Sequence, residues 1–126
     1  MQKIDFLNIL DGEFSNLTYL NLVSPDLSDV KIEVQPFQVR KIIISYLNGK
    51  INSLNLNRWA EFLCFRDEYV SKNWENEKSA DFYEDMWYVV QKLSTPEIDG
   101  EITPETVRQY LKELDKYFEN QKLQND

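Results

Sequence analysis

The apolar positions of this chain fall into helical stripes from Gln35 onward and into shorter, ambiguous runs before it. Pro36 suits the first position of a helix, and Val39, Ile42, Ile43, Tyr46 and Leu47 then share one face. Asn48-Gly49 supplies the stop. The next pattern predicts a helix from about Leu54 to Val70, with Leu56, Trp59, Ala60 and Leu63 on one face. Phe62, Phe65 and Tyr69 form a second stripe on nearly the opposite side, so this helix either lies centrally in the fold or lends one face to a partner; the central placement is preferred. Ser79 can cap a further helix over residues 80–94, whose core face is Phe82, Tyr83, Met86, Trp87, Val90 and Leu93. Pro96 ends it and Asp99-Gly100 makes a turn. Thr103-Pro104-Glu105 combines a capping threonine, a first-position proline and an acid in the first turn, and starts a last helix that runs to about Leu123. Its stripe is Val107, Tyr110, Leu111, Leu114 and Phe118, with Gln124 to Asp126 expected to fray.

The first 34 residues read less cleanly. Ile4, Phe6, Leu7, Ile9 and Leu10 fit a short helix or a strand before Asp11-Gly12. Leu17 to Val23 has β character and stops at Ser24-Pro25, and Val30, Ile32 and Val34 alternate with polar residues as a strand does. The expected fold class is therefore mainly α: a compact bundle of about four to five helices over residues 35–123, with a small β-hairpin or short strands in the N-terminal third. At 126 residues the chain fits a single domain, 1–126, with room for a real core.

Composition then removes several function classes. The chain has no histidine and one cysteine, Cys64. That takes away the commonest general base, the Ser-His-Asp and Cys-His arrangements, any zinc site and any intramolecular disulfide. Glycines at 12, 49 and 100 are isolated, so no phosphate-cradling loop exists. The adjacent acids Asp67-Glu68 and Glu84-Asp85 point about 100° apart on a helix and do not converge on one ion. Cys64, set between Leu63 and Phe65 with no histidine to activate it, reads as a buried structural thiol. The expectation is a protein that is not an enzyme and uses no cofactor or metal. No apolar run approaches the roughly 20 residues of a membrane span, and the N-terminus lacks the pattern of a signal peptide. A cytoplasmic protein with no membrane partner is expected.

Charge adds a direction. The net charge is −8, and it is uneven: residues 1–52 carry five Lys/Arg against six Asp/Glu, whereas residues 53–126 carry nine against sixteen. Such a surface repels phosphate backbones, so no nucleic-acid partner is expected, and it attracts basic proteins. Aromatics among these acids mark where contact energy concentrates: Trp74 in Trp74-Glu75-Asn76-Glu77, and Tyr88 among Asp81, Glu84 and Asp85.

Tyr46-Leu47-Asn48-Gly49-Lys50-Ile51 followed by Trp59-Ala60, then Leu93-Ser94-Thr95-Pro96-Glu97-Ile98 and Ile102-Thr103-Pro104-Glu105, resembles small bacterial immunity proteins, including those of contact-dependent growth inhibition systems. The similarity spans roughly residues 35–115 and rests on helix punctuation and core aromatics. It implies a chain that binds and neutralises a cognate toxin, often a basic nuclease, inside the producing cell. It transfers no binding residue. The residues themselves point to Asp67, Glu68, Trp74, Glu75, Glu77, Asp81, Glu84, Asp85 and Tyr88 as the partner-binding surface. The alternative is an acidic adaptor or regulatory module dimerised through Phe62, Phe65 and Tyr69, which leaves the oligomeric state open between monomer and homodimer.

Overall fold

The computed structural model describes residues 3–13, 29–71 and 80–125. In them the chain runs α1 (Lys3–Leu10), β1 (Ile32–Glu33), α2 (Pro36–Leu47), α3 (Ser53–Phe65), β2 (Tyr69–Val70), α4 (Ala80–Ser94), α5 (Pro96–Asp99) and α6 (Pro104–Asn125). The fold is mainly α, with one short two-stranded parallel sheet among the described residues. Residues 4–10 take the helical of their two readings as α1, and the short α5 is the helix not foreseen. Leu17 to Val23, the Ser24-Pro25 stop and the Ser79 cap lie outside the described residues.

Local chemistry accounts for most helix ends. The Gln35 amide donates to the Gln38 side chain at 2.8 Å, and Pro36 follows as the first helical residue of α2. Asn52 caps α3 by accepting from the Asn55 amide at 2.8 Å, and Thr103 Oγ1 accepts from the Thr106 amide at 3.2 Å at the start of α6. Two helices close with the same pair of reverse bonds. After α1, Gly12 donates to Ile9 and Glu13 to Asn8; after α2, Gly49 donates to Tyr46 and Lys50 to Ser45. Both glycines hold positive φ, 107° and 78°, where a side chain is strained. At Gly12 a Cβ would also come within 3.1 Å of Ile42 Cδ1.

Packing places α4 at the centre, against α2, α3, α5 and α6, while α1 rests on α3. Phe82, Tyr83, Met86, Val89, Val90 and Leu93 bury the inner side of α4, and Trp87 is half-buried. Leu56, Trp59, Ala60, Phe62 and Leu63 of α3 are all buried, so this helix packs between α4 and α1, while Phe65 of its second stripe stays exposed. Trp59 Nε1 donates to the Ile9 carbonyl at 3.1 Å, which ties α3 to α1 and satisfies the one polar atom of a fully buried indole.

One expectation is corrected here. The helix predicted to reach Val70 ends at Phe65, because Arg66 turns extended (φ −104°, ψ 126°) and its guanidinium grips Glu68, Nε to Oε1 at 3.1 Å and Nη2 to Oε2 at 2.7 Å. Residues two apart on a helix point to opposite sides, so this bidentate pair cannot form there. The alternation at Val30 to Val34 does form a short strand, as one of the two readings had it, while the hairpin reading falls partly on Leu17 to Val23, outside the described residues. Ile32 and Glu33 pair in parallel with Tyr69 and Val70, through Ile32 donating to Glu68 at 2.7 Å and Val34 donating to Val70 at 2.9 Å.

Candidate functional site

Helical spacing decides which acids of α4 can act together. Asp81, Glu84 and Tyr88 are three and four residues apart and all exposed, so they form one outward stripe opposite the buried side of α4. Tyr88 keeps 49% of its surface in water. Asp85 lies beside the stripe, half-buried, with its carboxylate 3.3 Å from Lys116 of α6. Ion pairing also fixes the rest of the α4–α6 flank. Lys92 sits 3.8 Å from Glu113 and 5.4 Å from the centre of the Tyr110 ring. The stripe is therefore presented by a helix held on its other sides.

The remaining predicted residues do not join it. Asp67 is exposed, but it belongs to the turn after α3, where its carbonyl accepts from Lys31 Nζ at 3.1 Å. Glu68 is not a surface residue at all. Its side chain is 0% exposed, held by Arg66 beneath the Phe6 ring, and an acid so placed is unavailable to a partner. Its carboxylate needs the guanidinium because an unpaired buried charge is far too costly. Trp74, Glu75 and Glu77 lie outside the described residues. The dimer stripe is corrected too: Phe62 and Tyr69 are buried in an aromatic triad with Phe6, centroids 5.7–5.8 Å apart, and only Phe65 is exposed.

Burial also shapes the titratable groups near the core. The Cys64 thiol is half-buried, and desolvation pushes its pKa up against a weaker opposing hydrogen bond from Ser94, which disfavours the thiolate. Burial, followed by the nearby Glu68 charge, raises the Tyr69 phenol, with Arg66 opposing; its hydroxyl donates to the Phe6 carbonyl at 2.8 Å. Among the described residues no three His, Cys, Asp or Glu side chains are grouped to hold a metal ion, and no helix is long and apolar enough to cross a membrane.

No known family, curated protein or solved structure matches this chain. Reading the residues in order passed over one part of the surface, the turn from Glu97 to Glu101, taken only as a break between helices. Its signal was an exposed isoleucine between two acids, Glu97-Ile98-Asp99.

Proposed function

We propose that this chain is a binding protein of the immunity type, which neutralises a basic toxin domain inside the producing cell by covering it with the outward stripe of α4. The observation that carries the reading is the stripe itself: Asp81 and Glu84 exposed with Tyr88 on one face of a firmly packed helix. Carboxylates steer a basic partner into encounter, and a tyrosine supplies rigid contact area at small entropic cost. A surface of this kind can occlude a cleft that binds phosphate, by presenting carboxylates where phosphates would sit. The excess of acids in residues 53–126 extends the attraction beyond the contact itself. On this reading the chain performs no chemistry of its own.

The test is association kinetics with the basic toxin domain encoded beside its gene. With Asp81→Lys and Glu84→Lys together, the association rate at low salt should fall by about tenfold or more, and the difference should shrink as salt screens the charges. Tyr88→Ala should act mainly on dissociation. Unchanged rates at low salt would remove this face from the interface, and failure of the purified domains to associate would remove the immunity reading.

A further inference from the structure

A second surface stands at the other end of α4, where the chain turns into α6. Thr95 Oγ1 donates to Asp99 Oδ2 at 2.6 Å, Asn57 Nδ2 to the Leu93 carbonyl at 2.9 Å, and the Tyr46 hydroxyl to the Ile102 carbonyl at 3.4 Å. These bonds pin the turn between α4 and α6 and hold it against α3 and α2. Between it and the first turn of α3 lies a groove of about 230 Å³, lined by Ser53, Leu54, Asn57, Pro96, Glu101 and Ile102. Among the described residues its apolar lining stays open to water at Leu54, which is 54% exposed; Ile98, outside the lining but on the same turn as Pro96, is 78% exposed.

The charge around this groove is of one sign along the turn. Glu97, Asp99, Glu101 and Glu105 are all exposed, and no lysine or arginine occurs between Lys92 and Arg108. Acids in the first turns of α5 and α6 suit the helix dipoles, which accounts for Glu97, Asp99 and Glu105. It does not account for Glu101, which precedes the Thr103 cap and lines the groove, or for an isoleucine left in water between two acids. A second copy of this chain, at net charge −8, would bring like charge to this wall.

We propose that the groove takes a segment of a basic partner protein, an aliphatic side chain seated among Leu54, Pro96 and Ile102 with lysine or arginine beside it against Glu97, Asp99 and Glu101. The apolar groove selects the anchor, and the acidic wall selects the flanking charge. This docking site is separate from the α4 stripe and does not depend on the immunity reading.

The experiment is a titration of the full ¹⁵N-labelled chain with the peptide acetyl-Lys-Lys-Leu-Lys-Lys-amide, beside a control peptide carrying serine in place of leucine. Shifts should centre on residues 53–57 and 96–102, and the serine peptide should bind about fivefold more weakly or worse. Leu54→Asp alters an exposed side chain of the groove lining, so the variant should fold and should lose affinity for the leucine peptide. The shifts should stay centred on residues 53–57 and 96–102 in the Tyr88→Ala variant, which separates this site from the α4 stripe. Equal affinity for the two peptides, shifts centred on Asp81, Glu84 and Tyr88, shifts spread over all acidic residues, or no shifts would each overturn the proposal. So would sedimentation showing a dimer of the free chain that Ile98→Asp abolishes.

Discussion

Glu68 and Glu84 are the same residue type, were read from sequence as parts of one surface, and occupy opposite worlds. Glu68 is buried and bound in two places by Arg66, whose guanidinium lies over the Phe6 ring, and its own carbonyl accepts from the Ile32 amide of β1. Glu84 stands in water on the outward stripe of α4. The difference shows that an acidic patch in sequence mixes two functions. One carboxylate organises the chain, and its neighbours in the count are left free to meet a partner. Removing each should separate stability from binding.

The largest effect belongs to the buried pair. Glu68→Ala leaves the Arg66 guanidinium without its carboxylate in a site closed to water, and the expected cost is about 3–5 kcal/mol, enough to lower the unfolding midpoint sharply in a denaturant titration. Replacing both partners by apolar residues, Arg66→Met with Glu68→Leu, should recover most of that loss, since the penalty comes from the orphaned charge rather than from a missing attraction. If Glu68→Ala unfolds with the midpoint of the parent chain, the pair is not what ends α3.

That pair is also where sequence reading failed. The starts and stops of α2, and the start of α6, were legible because Pro36, Asn48-Gly49 and Thr103-Pro104 act within a turn of themselves. The end of α3 was not. Phe65 and Tyr69 keep helical spacing, and nothing local says that Arg66 will turn inward or that Tyr69 will reach the Phe6 carbonyl, 63 residues earlier. The parallel pairing of Ile32 with Tyr69 is likewise a contact between distant segments. On α4, by contrast, the three- and four-residue spacing of Asp81, Glu84 and Tyr88 was enough to place them on one outward stripe. Val89 was missed from the core face, though it is fully buried, because α4 packs against four helices and so buries a wider arc than one stripe.

A smaller effect follows from Tyr69. Its phenol is raised above its ordinary value in the folded chain, so the folded state holds this proton more tightly than the unfolded state does. The stabilisation is complete below a pH of about 10, where an unfolded tyrosine titrates, and is lost as pH climbs beyond it. Tyr69→Phe removes both the titration and the hydrogen bond to Phe6, and should cost about 1 kcal/mol at neutral pH. The variant should also lose stability less steeply than the parent chain above pH 10, as read from unfolding midpoints across that range. Parallel pH curves for the two proteins would show that the phenol is not held this way.

The smallest effects on stability should come from the surface, and that is what makes them informative. Lys116→Ala removes one ion-pair contact of Asp85, in which the lysine is more than half exposed, and a contact of that kind contributes about 0.5 kcal/mol or less. Asp81→Lys and Glu84→Lys should change stability by no more than a similar amount, since both side chains project into water. Lys116→Ala should nonetheless speed association with a basic partner, because it removes a positive charge from the flank of the stripe, whereas Glu84→Lys should slow it. Opposite changes in association rate at nearly constant unfolding midpoint would mark the outer side of α4 as a surface kept for binding. Changes of the same sign, or a drop in midpoint that tracks the rate, would return those acids to the role that Glu68 has.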